Sequence, residues 1–135
     1  MSRTLRRALL ALASIAVLAA GCGDNNNDPK SVLLRFTTAS TYKCGAKSAG
    51  DAYDLAANSL NESRERFVHD TLLQQQQNGC TPKRVPHIEA IELSRTKAVA
   101  VYDVRVQDPS TDFKGGRARV IKTDHGWKVD TGRGT

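Results

Sequence analysis

The chain has 135 residues, 39% of them hydrophobic and 25% charged, with a formal net charge of +6. That length suits one domain rather than several. The basic residues are scattered, in runs no longer than pairs such as Lys83-Arg84, so the charge is not a nucleic-acid footprint.

Arg3, Arg6 and Arg7 make a basic start, and residues 8–20 follow as an apolar and small-residue run broken only by Ser14. Spanning a bilayer as a helix takes roughly 20 residues, and this run is shorter. A basic start, a short apolar run and small residues behind it form the pattern of a secretory signal. A buried amphipathic helix is disfavoured, because the run has no polar face. The stretch Leu18-Ala19-Ala20-Gly21-Cys22 resembles a lipobox, the recognition sequence of bacterial lipoprotein signal peptidase. Ala20 and Gly21 fit it, whereas the usual Leu three places before the cysteine is replaced by Ala19, with Leu18 one place earlier. The resemblance implies cleavage before Cys22, a thioether-linked diacylglycerol on Cys22, and lipid anchoring at the extracytoplasmic face of the cell membrane. Residues 1–21 are then a signal peptide, 22–29 the lipidated cysteine with a polar tether, and 30–135 the domain. Once residues 1–21 are removed, 17 basic and 14 acidic residues remain, a net of +3.

With Cys22 lipidated, Cys44 and Cys80 remain. In an oxidising compartment two cysteines most simply pair. The competing use is a metal site with His69, His87 or His125, but no ligand pair sits at a zinc-like spacing. No metal and no cofactor are expected.

After the polar tether, Asp28-Pro29 reads as a helix start, with Asp at the N-cap and Pro at the first helical position. Val32, Leu33, Phe36 and Ala39 share one helical face, while Thr37, Thr38 and Thr41 weaken its middle. Gly45 and Gly50 are candidate ends. Asp51 reads as the cap of a second helix over 52–59, with Leu55 and Ala56 inward. A third helix begins near Asn61, where Ser59-Leu60-Asn61-Glu62 fits a capping box. Phe67, Val68, Thr71 and Leu72 form its apolar stripe. The glutamines at 74–77 read as a solvated end running into an Asn78-Gly79 stop.

From Val85 the pattern becomes strand-like. A strand over 87–93 shows a shift in alternation near Ala90-Ile91, which suggests a bulge, and a turn follows at 94–97. The strongest strand spans 98–106, with Ala98, Ala100, Tyr102, Val104 and Val106 on one face. The other face, Val99, Val101, Asp103 and Arg105, becomes polar along its length. Asp108-Pro109-Ser110 and Lys114-Gly115-Gly116 bracket a loop. A third strand spans 117–122, Asp124-His125-Gly126 makes a hairpin turn, and a fourth strand spans 127–130 with Trp127 and Val129 together. Helices first and antiparallel strands afterwards predict an α+β domain.

Three segments carry a resemblance to the nuclear transport factor 2-like superfamily, and within it to small actinobacterial lipoproteins. They are Gly50-Asp51 before a short helix, Leu60-Asn61-Glu62 opening the next, and the closing Lys122-Thr123-Asp124-His125-Gly126-Trp127-Lys128-Val129-Asp130. The resemblance implies N-terminal helices packed on a curved four-stranded antiparallel sheet, a cone that can hold a pocket. Such folds host enzymes and binding modules alike, so function must come from the site.

An isomerase or dehydratase on this fold needs a carboxylate base and an acidic donor in one pocket. Asp103 is the nearest base, with Tyr53, Tyr102 or His69 as donor. Asp103 and Tyr102 are strand neighbours and point to opposite faces, so Asp103 is expected to pair with Arg105, Arg117 or Arg119 instead. Tyr42, Tyr53, Tyr102 and Trp127 are candidate pocket-lining residues, although core packing is the favoured explanation. The three histidines read as surface residues. The sequence therefore predicts a non-enzymatic, membrane-anchored envelope module that binds a partner protein or a small apolar ligand.

Overall fold

The computed structural model describes residues 28–57, 62–81, 85–107 and 115–131. The signal segment, Cys22, the tether up to Asn27, the 59–61 part of the capping box and the Asp108-Pro109-Ser110 loop lie outside them. Asp28 opens helix α1, Pro29–Thr37, in an extended conformation, and its carboxylate accepts the Ser31 N–H at 3.3 Å. Pro29, at the first helical position, is buried with Val32 and Leu33. The threonines then alter the helix. Thr37 and Thr38 donate their hydroxyls to the Leu33 and Leu34 carbonyls, each at 2.9 Å, and α1 widens into a five-residue π-helical turn, Thr38–Tyr42.

Helix α2 is Ala46–Leu55, six residues earlier than the sequence reading puts it. Gly45, at φ +117°, precedes it, and the Ser48 hydroxyl donates back to the Gly45 and Lys43 carbonyls. Asp51 is thus an interior helical residue rather than a cap, and Gly50 is buried in mid-helix rather than ending anything. The Gly-Asp pair imitates a helix start, but Ala46-Lys47-Ser48-Ala49 already favours the helix once Gly45 has turned the chain.

Helix α3 is Arg64–Gln77, capped by Ser63, whose hydroxyl accepts the Arg66 N–H at 3.2 Å. The start therefore lies three residues beyond Asn61. Phe67 and Thr71 are buried as the stripe requires, but so is Gln75, which is only 4% exposed. The glutamine run is therefore not wholly solvated. The helix ends as expected at Asn78-Gly79. With Gly79 at φ +65°, its N–H donates to the Gln76 carbonyl and the Cys80 N–H to the Gln75 carbonyl, at 3.2 and 3.0 Å. This is a Schellman closure, and it fixes where Cys80 stands. Cys80 is bridged to Cys44 across a Cα separation of 6.0 Å, so the corner before α2 is tied to the end of α3.

Strands β1 (His87–Arg95), β2 (Val99–Gln107), β3 (Gly115–Thr123) and β4 (Gly126–Asp130) pair antiparallel in chain order. The bulge lies between Glu92 and Ser94, two residues beyond the expected place, and β1 continues to Arg95. The turn is displaced with it. Thr96 organises residues 96–98, its hydroxyl accepting the Ala98 and Val99 amides at 3.2 and 3.0 Å. Ala98 is exposed there, whereas Ala100, Tyr102, Val104 and Val106 face inward as the alternation predicts. Beyond α2, Ala57 donates its N–H to the Val129 carbonyl at 2.7 Å, so this segment covers part of the β4 edge.

The three helices pack on one face of the sheet. Val32, Leu33, Tyr42 and Leu55 meet Tyr102, Val104, Val120, Trp127 and Val129 in the main core. Ala39, Ala52 and Phe67 form a smaller core between the helices. Burying each Val or Leu side chain contributes about 1.5–3 kcal/mol before the entropy of ordering is set against it.

Candidate functional site

A groove of about 620 Å³ opens where α1, α2 and β4 meet. Its apolar surface comes from Leu34, Ala39 and Leu55. Arg35, Lys43 and Lys128 bring cations to it, Asp51 and Asp54 bring carboxylates, and Thr38 adds a hydroxyl. Helical spacing explains the set: Leu34 on α1 and Thr38, where the π-helical turn begins, lie four apart, and Asp51, Asp54 and Leu55 lie at i, i+3 and i+4 on α2.

Polar contacts hold the groove's far wall. The Lys128 ammonium donates to the Asp54 carbonyl at 2.5 Å, which attaches the C-terminal turn of α2 to β4. The Arg64 guanidinium donates to the Asp54 carboxylate at 2.6 Å, a pair whose side chains are more than half exposed. Exposed pairs of this kind contribute about 0–1 kcal/mol. The arrangement presents charges of both signs, open to water, beside a small apolar floor. It suits recognition of a charged chain more than it suits enclosure of an apolar molecule.

The four aromatic residues singled out from the sequence lie elsewhere. Tyr42 is buried in the main core. Tyr53 is half-buried, edge-on to Phe67 with ring centroids 5.4 Å apart, and its hydroxyl donates to the Glu62 carbonyl at 3.2 Å. Tyr102 and Trp127 sit in the main core and border an ionic cluster. The Tyr102 hydroxyl donates to the Glu92 carboxylate at 3.3 Å, and Arg95 lies 3.6 Å from that carboxylate. Arg95 and Lys122 both approach the Trp127 ring, at 5.8 and 5.4 Å from its centroid. Burial first, and the Glu92 carboxylate second, push the Tyr102 hydroxyl up to about 12. Its proton is held for Glu92 and not offered to the groove.

Asp103 pairs with Arg105 at 3.3 Å and lies opposite Arg117 in the β2–β3 register. His69, His87 and His125 are all exposed. Among the described residues, no three His, Cys, Asp or Glu side chains gather as a metal cluster, and no helix is long and apolar enough to cross a membrane.

The sequence reading did not single out the charged residues of the groove. Asp51 reads as a cap only while the second helix is expected at 52–59. With α2 at 46–55, Asp51, Asp54 and Leu55 fall on one face at once. Arg35 and Lys43 carry no local signal, since only the fold brings them beside Lys128. Set against protein-family models, curated proteins and solved structures, the chain finds no match.

Proposed function

We propose that this chain is a lipoprotein of the cell envelope, anchored through lipid on Cys22, whose extracytoplasmic domain binds a partner rather than catalysing a reaction. The observation that carries the binding reading is the groove of α1, α2 and β4, with its cations, carboxylates and apolar floor. The Cys44–Cys80 bridge supports an oxidising compartment, because such bonds persist there. Helices on one face of a sheet ordered β1-β2-β3-β4 also support the finer reading, a cone of the nuclear transport factor 2-like kind.

An isomerase or dehydratase would want a shielded carboxylate and an available donor facing one cavity. In the groove, Asp54 is solvated and held by Arg64. On the other side of the core, the Tyr102 hydroxyl is already given to Glu92. Both contacts favour binding. The mixed charge favours a segment of an envelope protein over a small apolar ligand.

Site-specific photo-crosslinking in the native envelope tests this. A benzophenone side chain at Lys43 is expected to capture one discrete protein partner, and the same group at exposed His69, away from the groove, is not. Equal capture at the two positions, or none at Lys43, overturns the groove as the binding place.

A further inference from the structure

The polypeptide enters the domain at Asp28, and a group of side chains not used by the groove surrounds that point. Pro29 is buried beneath it, and the Asp28 carboxylate lies close enough to the Tyr102 hydroxyl to act on it. Tyr102 leads to Glu92, Glu92 to Arg95, and Arg95 with Lys122 to the Trp127 ring. Two turns project from the same end of the sheet, residues 96–98 and Asp124-His125, and the Lys122 N–H joins them through the Ala98 carbonyl at 2.8 Å.

Arg95, Lys97 and Lys122 are exposed here, and Lys30 is exposed on the first turn of α1. Asp28, Glu92 and Asp124 are the carboxylates of this end, and Glu92 is engaged by Tyr102 and Arg95. Four cations against three carboxylates leave a small positive surplus.

Chain length decides what this end can meet. Asp28 is six residues beyond Cys22. A fully extended chain advances about 3.3–3.6 Å per residue, so a lipid-bearing Cys22 keeps Asp28 within about 20 Å of the bilayer surface. Arg35, on the groove, is seven residues beyond Asp28, about 10 Å further along the helix. We propose that the Arg95, Lys97 and Lys122 end of the sheet rests on anionic phospholipid headgroups, which turns the groove away from the membrane. This rests on the reading of Cys22 as the anchor. Each Lys or Arg close to an anionic leaflet adds about 1 kcal/mol, so a modest surplus is enough to orient a domain that the lipid already holds.

The test uses the protein purified from its own envelope, first weighed intact to establish lipid on Cys22. It is then placed in nanodiscs of phosphatidylcholine alone or with an equal part of phosphatidylglycerol, and amide exchange is followed. The expected result is severalfold slower exchange at 96–98 and 123–126 in the anionic discs only. High salt, about 0.5 M, should remove the effect by screening, and so should Lys30→Glu with Lys97→Glu, two exposed positions whose change leaves the core intact. Equal exchange in both discs, or slowing at 34–39 and 51–55 instead, overturns the orientation while leaving the anchor standing. An intact mass without lipid overturns both.

Discussion

The side-chain oxygen of Gln75 accepts the backbone N–H of Gly45 at 3.1 Å. Its amide nitrogen donates to the carbonyls of Ser40 and Lys43, at 3.0 and 3.4 Å. One buried glutamine on α3 therefore holds the whole corner between the π-helical turn and α2, including the backbone of Lys43 at the groove.

Gln75→Leu keeps similar volume and removes all three bonds. Buried backbone groups left without partners cost about 1–3 kcal/mol. The expected result in urea is a lower unfolding midpoint with little change in slope, while Gln76→Leu, at an exposed neighbour, leaves the midpoint unchanged. An unaltered midpoint for Gln75→Leu would show that the corner stands without it.

The Cys44–Cys80 bridge closes a loop with a sequence separation of 36, for which chain entropy gives about 4 kcal/mol. Reduction, or Cys44→Ala with Cys80→Ala, should lower the melting temperature by well over 10 °C. Thiol counting on the denatured, unreduced protein should find neither cysteine free. Two free thiols would refute the bridge.

Tyr102 makes stability depend on alkaline pH. Its hydroxyl is raised in the folded state from the usual 10.0 to about 12. The folded protein thus holds this proton more tightly than the unfolded chain, and stability declines as pH rises from about 10 to 12. Below pH 10 the contribution is fully present. Ultraviolet titration should show the Tyr102 step displaced to high pH, and Glu92→Gln should bring that step to lower pH. Tyr102→Phe should flatten the loss of stability in this window.

Gly115 opens β3 at φ +113°, and a Cβ there would overlap the Val104 carbonyl of β2. Gly115→Ala should therefore cost more than about 2 kcal/mol through strain and broken pairing. Gly116→Ala, where a Cβ meets nothing within 4 Å, should cost far less. Equal stability of the two variants, measured by thermal melting, would contradict this reading.

Much of the fold was legible because its signals are local. Asp28-Pro29 marked α1, Asn78-Gly79 closed α3, and the Ala100, Tyr102, Val104 and Val106 alternation oriented β2. What failed depended on partners distant in the chain. Gln75 looked like one of four solvated glutamines, because its hydrogen-bonding partners lie 30 and more residues away. Asp51 looked like a cap, because nothing in its own sequence reveals that Gly45 starts the helix. Tyr102 has no hydrogen-bonding partner beside it in sequence, because Asp103 points to the opposite face. The register across the hairpin supplies Glu92 instead, directly opposite on β1. The charges of the groove come from α1, the corner before α2, α2 and β4, and only the packing of the helices on the sheet collects them.

Intact mass with N-terminal peptide sequencing of the protein from its native membrane decides whether Cys22 carries the proposed lipid anchor. The expected chain begins at Cys22, carries a thioether-linked diacylglycerol there, and accumulates as an unacylated precursor when Cys22→Ala is introduced. A chain that begins at any other residue, or a Cys22 with an unmodified thiol, would contradict it.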